Sequence, residues 1–372
     1  MDFFNTAFWA HRPGAYGVWH TVYPPLSFVF LRLWTAPGCY RLDPYAARAC
    51  DIGALAPMAL IYLVNAGLAF LSFRRLDRST ALSRAFALCA GAPMLYGLEL
   101  ANLIIPCFTV FVLAEGGLLR SPALRGLMMA VSINFKPYLL LTMLPRLVQR
   151  RWGLLLGVGA CGLAIYGVTF NLEGAGSPSD LFKDLFGYAG GMGGEYAQRN
   201  HLQAIAASSG GAWALFMPAL IRLGQVAALA CFALAAISRP ALDIRRLTAL
   251  ALTLVSSEAA LRTQGYSADY TQIFLLFLVF MEPWETAPGA VMLVCGYLLC
   301  VCADGMLVPA VHVVSRSFLG VRTVAFDVGL MVSQFVRPAL LLGVQAGLIA
   351  LALREAKPLW FARAPAVIKA SA

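Results

Sequence analysis

Charged residues are scarce in this chain. Only 12% of its 372 residues are Asp, Glu, Lys or Arg, and 60% are hydrophobic. A soluble domain carries about 25% charged residues. The composition therefore excludes an ordinary soluble fold and indicates a protein embedded in a membrane.

The sequence also lacks metal-ligand spacing, internal repeats and low-complexity tracts. Cys300 and Cys302 form a close pair, but no nearby histidine or second cysteine pair accompanies them, which argues against zinc. No outer Asp-x-Asp pair is present, so we expect no metal and no cofactor. Cys39 and Cys50 flank a short loop and would form a disulfide if that loop faces an oxidising compartment.

The net charge of +10 comes from basic residues in short connections rather than from one soluble face. This is the positive-inside pattern, so we read these connections and the tail, residues 354–372, as cytoplasmic. Nucleic acid is not an expected partner, whereas anionic lipid headgroups are. The basic groups are Arg74, Arg75, Arg78 and Arg84; Arg146, Arg150 and Arg151; Arg239, Arg245 and Arg246; and Arg354, Lys357, Arg363 and Lys369 in the tail.

Eleven apolar runs predict an all-α, polytopic membrane protein with about 11–12 transmembrane helices in one domain, residues 1–372. Several runs are shorter than the ~20 residues that a perpendicular span needs, which indicates short or broken helices around a cavity. The runs are Ile52–Phe73, Ala85–Leu98, Leu103–Leu119, Leu124–Phe135, Tyr138–Val148, Trp152–Phe170, Ala212–Ile237, Leu247–Leu261, Tyr270–Met281, Ala290–Ala303 and Val328–Leu353.

Three further segments complete the predicted topology. Residues 1–22 are rich in aromatic residues and predict an outer segment lying on the membrane surface. Tyr23–Trp34 is short and contains Arg32, which favours a half-inserted or re-entrant helix over a twelfth crossing. Residues 171–211 form a long, Gly-rich outer loop of the kind that serves as a lid or binding loop.

Polar residues between the apolar runs gather at the outer face in this topology. A charge at helix mid-depth costs roughly 2.5–3.5 kcal/mol, so such groups indicate a site. Those that stand out are Glu99, Asn102, Lys136, Arg199, Asn200, His201, Arg262, Asp269 and Asp304.

Three motifs carry a family resemblance: VYPPLSFVF at Val22–Phe30, NFKPYLLLTMLPRLVQRRW at Asn134–Trp152, and QRNHLQ at Gln198–Gln203. Together they resemble the polyprenol-phosphate-mannose-dependent mannosyltransferases of the GT-C superclass, which include bacterial alpha-(1,2)-mannosyltransferases. The resemblance covers about two thirds of the chain as scattered motifs. Where the family often has a Gly-Gln-Asn cluster, this chain has GLELAN at residues 97–102.

The resemblance implies that a sugar, with mannose expected, passes from a polyprenyl-phosphate donor to a glycolipid or glycan acceptor with inversion. The membrane would be the bacterial inner (plasma) membrane, with the active site on the periplasmic or outer face. Asp2 is the only acidic residue before Tyr-Pro-Pro and would be the general base. The family has a transmembrane helix before this loop, so the resemblance implies either that translation starts upstream of Met1 or that the protein is a truncated, inactive relative.

Substrate-binding roles fall on seven residues, each with an ordinary structural alternative. Lys136 would face phosphate or snorkel to headgroups. Arg199 and His201 in the polar loop would contact substrate or be solvated. The same two alternatives apply to Arg12 and His20 in the aromatic stretch. Tyr23 would contact ligand or sit at the interface, and Asp269 would contact sugar or favour a helix N-terminus.

A transporter or flippase of a lipid-linked or anionic solute is the alternative function. Short, broken helices with polar residues would serve such a protein equally well. The absence of related halves and the outer location of the polar groups favour the enzyme.

Overall fold

The computed structural model describes residues 2–173, 178–190, 212–238, 243–262, 270–302, 305–316 and 323–362. Within these ranges lie sixteen α-helices and one antiparallel β-hairpin. The helices are α1 Asp2–Ala10, α2 Pro25–Arg32, α3 Pro44–Cys50, α4 Ala56–Leu76, α5 Ala81–Cys89, α6 Ala92–Glu99, α7 Ile104–Glu115, α8 Pro122–Phe135, α9 Leu144–Val148, α10 Trp152–Glu173, α11 Pro178–Gly190, α12 Ala212–Ser238, α13 Ile244–Arg262, α14 Gln272–Val279, α15 Ala287–Leu299 and α16 Ser333–Ala362. Three 3-10 helices cover Pro37–Tyr40, Ile52–Leu55 and Pro137–Met143, and the strands are β1 Met306–Arg316 and β2 Thr323–Met331.

Four of the described helices are long and apolar enough to cross a membrane. They lie within Ile52–Leu76, Trp152–Leu172, Phe216–Ile237 and Phe335–Glu355. The pair α5 and α6, bent by 43° at its break, makes a fifth if it counts as one span. Each of the eleven predicted apolar runs overlaps a helix of the structure, although the last run begins in β2. These helices indicate an integral membrane protein.

The break at Lys136 follows from the proline after it. Helix α8 ends at Phe135, and Lys136 adopts φ −137° and ψ 97°, because the ring of Pro137 disfavours helical backbone in the preceding residue. The sequence predicted this break, and the structure confirms it. The chain then continues as the 3-10 helix Pro137–Met143 and as α9.

The short helix α14 lies at the centre of the fold. All eight of its residues are buried. Phe277 packs against Phe73 of α4 and Phe108 of α7, with ring centroids 5.5 and 5.8 Å apart. Phe274 meets Phe111 of α7 at 4.9 Å. Apolar helices too short to span alone are therefore held by aromatic packing around α14.

A charged cluster, called here the basal cluster, ties several helix ends together. It consists of Glu115, Arg146, Arg246, Glu282 and Glu355. Arg146 and Glu115 form an ion pair at 2.5 Å in which each side chain is only 2% exposed. Arg246 pairs with Glu282 at 2.8 Å and also with Glu355. The cluster joins α7, α9, α13, the end of α14 and α16.

Four predictions need correction. Within residues 2–22, α1 packs into the core rather than lying on a surface, because Phe3, Phe4 and Phe8 are buried, whereas Val18 is 64% exposed. The fold is helical as predicted except at the β-hairpin, in which β1 pairs with β2. The predicted loop at residues 171–211 contains the end of α10 and all of α11, and the tail at residues 354–372 is helical through Ala362.

Candidate functional site

Asp2 lies in a network that five distant parts of the chain build. We call Asp2, Tyr23, Asn102, Lys136 and Tyr270 the polar site. The Asn102 side-chain amide donates a hydrogen bond of 2.8 Å to the Asp2 carboxylate. The start of α1 is fixed beside it, because the Phe3 backbone N–H donates to the Leu100 carbonyl at 3.2 Å. An acidic side chain in the first turn also suits the positive end of the helix dipole.

The backbone around Asn102 fixes the direction of its amide. Asn102 Oδ1 accepts a hydrogen bond of 3.0 Å from the backbone N–H of Ile104, the first residue of α7. The Nδ2 group is thereby left to donate toward Asp2. Ala101, just before, has φ +45°, a left-handed conformation that is uncommon for a residue with a Cβ. Backbone strain of this kind concentrates at functional sites.

Tyr23 contacts both ends of the polar site. Its hydroxyl lies 3.4 Å from Asn102 Nδ2, and its ring centroid lies 4.5 Å from the ammonium of Lys136. The Tyr-Pro-Pro sequence explains the placement, since Pro24 and Pro25 begin α2 and hold Tyr23 just before it. Asp2 and Lys136, 134 positions apart in the printed sequence, are therefore linked through Tyr23 and Asn102.

The ammonium of Lys136 is buried among aromatic rings. Lys136 is 7% exposed, and Tyr270 lies 5.8 Å away on another side. Tyr270 in turn stacks on Tyr96, with ring centroids 5.8 Å apart. Among the described residues, no carboxylate within ion-pair distance of Lys136 is found, so ring faces supply its contacts. A buried cation held this way is suited to an anionic ligand.

An apolar groove of about 420 Å³ begins next to Lys136. It is lined by Pro137, Tyr138, Leu140, Leu141, Met143, Leu144, Leu147 and Leu155. The groove follows the 3-10 helix and α9 as far as the first turns of α10. A hydrocarbon chain is the ligand that such walls suit.

The C-terminal end of α1 is held by polar contacts, and a disulfide joins the 3-10 helix Pro37–Tyr40 to α3. Arg32 Nε donates to the Ala10 carbonyl at 2.6 Å, and His11 Nε2 lies 2.7 Å from Thr35 Oγ1. Burial, and next the charge of Arg32, lower the pKa of His11, so it is neutral at pH 7. Cys39 and Cys50 are disulfide-bonded, with Cα atoms 5.5 Å apart, as the sequence allowed.

The other predicted site residues divide into two groups. Arg12 and His20 are described but lie apart from the polar site: the Arg12 guanidinium lies over the Phe8 ring at 5.2 Å, and His20 Nδ1 lies 3.1 Å from Asp184. Arg199, His201 and Asp269 lie outside the described residues.

Comparison with known proteins adds no family. No protein-family model, curated protein or solved structure matches the chain. Within the described ranges, no group of three or more His, Cys, Asp or Glu side chains could hold a metal ion. The described residues of the polar site supply a carboxylate, an ammonium, an amide and two tyrosine rings.

Two site residues were not predicted. Asn102 was noticed only as a polar residue at a helix end, and its contact with Asp2 depends on a fold that brings residues 100 positions apart together. Tyr270 was read as a residue that opens a helix. The sequence does not show that Tyr270 lies near the Lys-Pro motif, because the two segments are far apart in the chain and meet only in the fold.

Proposed function

We propose that this protein is a membrane-embedded glycosyltransferase that moves a sugar, mannose first among the candidates, from a polyprenyl-phosphate donor to a glycolipid or glycan acceptor. The observation that carries the proposal is the linkage of a carboxylate, Asp2, to a buried cation, Lys136, through Tyr23 and Asn102. The motifs that resemble the GT-C mannosyltransferases contain both Tyr23 and Lys136.

Asp2 acts as the general base in this proposal. It takes the proton of the acceptor hydroxyl while that oxygen forms a bond to the anomeric carbon. The bond from that carbon to the phosphate oxygen breaks on the opposite side, so the configuration inverts. Asn102 holds the carboxylate in position through its hydrogen bond of 2.8 Å.

Lys136 stabilises the departing polyprenyl phosphate. Negative charge builds on the leaving oxygen, and a fixed positive charge in a dry site lowers the free energy of that transition state. The apolar groove that starts at Pro137 would take the first isoprene units of the donor. Tyr96 and Tyr270, whose rings stack at 5.8 Å, offer aromatic faces for the sugar.

The topology behind the proposal has eleven crossings, with the basal cluster on the cytoplasmic side. Arg74 and Arg75 end α4, and Arg75 donates to the carbonyl of Gly117 just after α7. Positive loops mark the inner face. The twelve residues of α7 rise about 18 Å from Asn102 toward Glu115, so the proposal assigns the polar site to the side away from the basal cluster, toward the outer face. The Cys39–Cys50 disulfide suits an oxidising outer compartment, such as the periplasm.

The first test measures transfer of radiolabelled mannose from polyprenyl-phosphate-mannose in membranes that contain the protein. We expect transfer by the wild type and a loss of about 10²- to 10⁴-fold with Asp2→Asn. Asp180→Asn, on the outer helix α11, is the matched control and should retain activity. Its carboxylate pairs only with the exposed Lys183, at 3.3 Å, among the contacts of the described residues.

Two outcomes count against the proposal. An Asp2→Asn protein as active as the wild type excludes Asp2 as the base. A wild type that transfers no sugar from mannose, glucose or pentose forms of the lipid donor favours transport of a lipid-linked solute instead, which flux into proteoliposomes would then measure.

A further inference from the structure

The apolar groove that begins next to Lys136 has a second end, which lies beside two arginines. Leu147 and Leu155 line the groove there. The backbone N–H of Arg150 donates to the Leu147 carbonyl at 2.9 Å, and the backbone N–H of Leu155 donates to the Arg151 carbonyl at 3.1 Å. Each arginine is therefore bonded through its backbone to a residue of the groove wall.

This end of the groove carries positive charge that the described residues do not compensate. Arg150 and Arg151 are exposed, and their side chains make no hydrogen bond or ion pair with the part of the chain that the structure describes. Glu115 is the nearest acidic residue before them in the chain, and it is buried and paired with Arg146. Residues 116–172 contain no Asp or Glu, whereas they contain the basic residues Arg120, Arg125, Lys136, Arg146, Arg150 and Arg151. The arginine end of the groove therefore attracts an anion.

A third arginine and a tryptophan mark this end as the level of lipid headgroups. Arg120 is exposed just before α8, and the first turns of α8 and α10 pack together, since a Cβ added at Gly126 would lie 3.4 Å from Leu154 Cδ1. Trp152, which follows Arg151 directly, is also exposed. Tryptophan is enriched where the hydrocarbon of a membrane meets the headgroups, and arginine at the cytoplasmic side.

The groove is open to hydrocarbon along its length. Leu140, Leu141 and Leu147 are exposed on its wall. The seven residues of the 3-10 helix at about 2.0 Å each and the first four of α9 at about 1.5 Å each give this wall a length of about 20 Å. One leaflet of hydrocarbon is about 15 Å deep. An acyl chain that enters at the arginine end therefore fits in the groove and leaves the Lys136 end to another ligand.

We infer that Arg150, Arg151 and the adjoining part of the groove bind an anionic phospholipid of the cytoplasmic leaflet. Its phosphate pairs with the two guanidinium groups, whose planar N–H donors match phosphate oxygens in geometry as well as charge. One acyl chain lies against Leu144, Leu147 and Leu155. A zwitterionic phospholipid offers the same chain, but its own cation weakens the attraction to the arginines. The site depends on the membrane orientation proposed above and not on sugar transfer.

The test measures lipid binding to the full-length protein by native mass spectrometry, with phosphatidylglycerol and phosphatidylcholine as the probes. The double variant Arg150→Gln/Arg151→Gln removes both charges and keeps polar side chains at the same positions. Each arginine near a membrane surface strengthens the binding of an anionic lipid about fivefold, so we expect Kd for phosphatidylglycerol to rise about 30-fold. Kd for phosphatidylcholine should change by less than about threefold, which also shows that the variant is folded.

The matched control removes two other arginines from the same face. Arg74 and Arg78 lie at the end of α4 and just after it, both are exposed, and neither lines the groove. Arg74→Gln/Arg78→Gln should leave Kd for phosphatidylglycerol within about threefold of the wild type. Glycerol phosphate has the headgroup charge but no chain, and it should bind the wild type at least about 10²-fold more weakly than phosphatidylglycerol does.

Four results would overturn the site. Equal losses in the two double variants would show a general attraction by the basic face, and equal affinity of the wild type for both phospholipids would exclude recognition of the phosphate. Glycerol phosphate that binds as tightly as phosphatidylglycerol would indicate a site for a free anion. A double variant at Arg150 and Arg151 that loses affinity for polyprenyl phosphate but keeps it for phosphatidylglycerol would assign the arginines to the donor instead.

Discussion

Replacing Lys136 by methionine separates the function of the buried cation from its effect on stability. Methionine has a similar length and no charge, so it keeps the packing between Tyr23 and Tyr270. We expect sugar transfer to fall steeply while the fold persists.

The expected magnitude follows from the surroundings of the ammonium. Two unit charges about 4 Å apart at an effective dielectric constant of about 20 attract by about 4 kcal/mol, which corresponds to roughly 10³ in rate. Measured losses for single donors to a developing anion are about 10²–10³. Because Lys136 is 7% exposed and its described contacts are ring faces, its removal also relieves a desolvation cost. Thermal stability should therefore stay the same or rise.

The assay measures kcat with polyprenyl-phosphate-mannose, and thermal unfolding is measured in the same detergent. Lys183→Met is the matched control, because Lys183 is 75% exposed on α11 and pairs only with Asp180 among the described contacts. A Lys136→Met protein that keeps more than a tenth of wild-type kcat would refute the leaving-group role. A fall in unfolding temperature of more than a few degrees would refute the view that burying the ammonium lowers the stability of the fold.

Further predictions concern the base, the basal cluster and an exposed turn. Asn102→Ala should lower kcat about tenfold or more by freeing the carboxylate of the base, and kcat should change more than the acceptor KM. Arg146→Met should destabilise the fold by about 3–5 kcal/mol, because it leaves Glu115 buried and unpaired, and adding Glu115→Leu should restore most of the loss in chemical unfolding. Hydrogen bonds from Ser79 and Thr80 lower the pKa of Asp77 to about 2, so its stabilising effect is full above about pH 4 and is lost as pH falls toward 2. Asp77→Ala should flatten the unfolding temperature over that range, and an unchanged slope would contradict this reading.

Helix positions could be predicted from the sequence because apolar runs and prolines act locally. All eleven runs overlap helices, and the break at Lys136 follows from Pro137 alone. The hairpin was not predicted from the sequence. Its β1 strand, MLVPAVHVVSR, is rich in β-branched valine, which favours a strand, but the prediction considered only apolar runs as membrane spans.

The site could be predicted only in part because its contacts are long-range. Asp2, Tyr23 and Lys136 came from the resemblance, and the structure brings them together. The burial of α1 was not predicted, since an aromatic segment with few charges fits either a membrane surface or a core. The pairing of His20 with Asp184 spans 164 positions, and no local pattern signals it.

The position of α1 affects the order in which the polar site assembles during synthesis of the chain. The Phe3 N–H donates to the Leu100 carbonyl, and Asn102 donates to Asp2, so these two hydrogen bonds at the first turn of α1 form only after α6 and the start of α7 are synthesised. At about 5–20 residues per second, a ribosome needs roughly 5–20 s to add the intervening 100 residues. The Asp2 carboxylate therefore gains its hydrogen bond to Asn102 only after about 100 further residues are made.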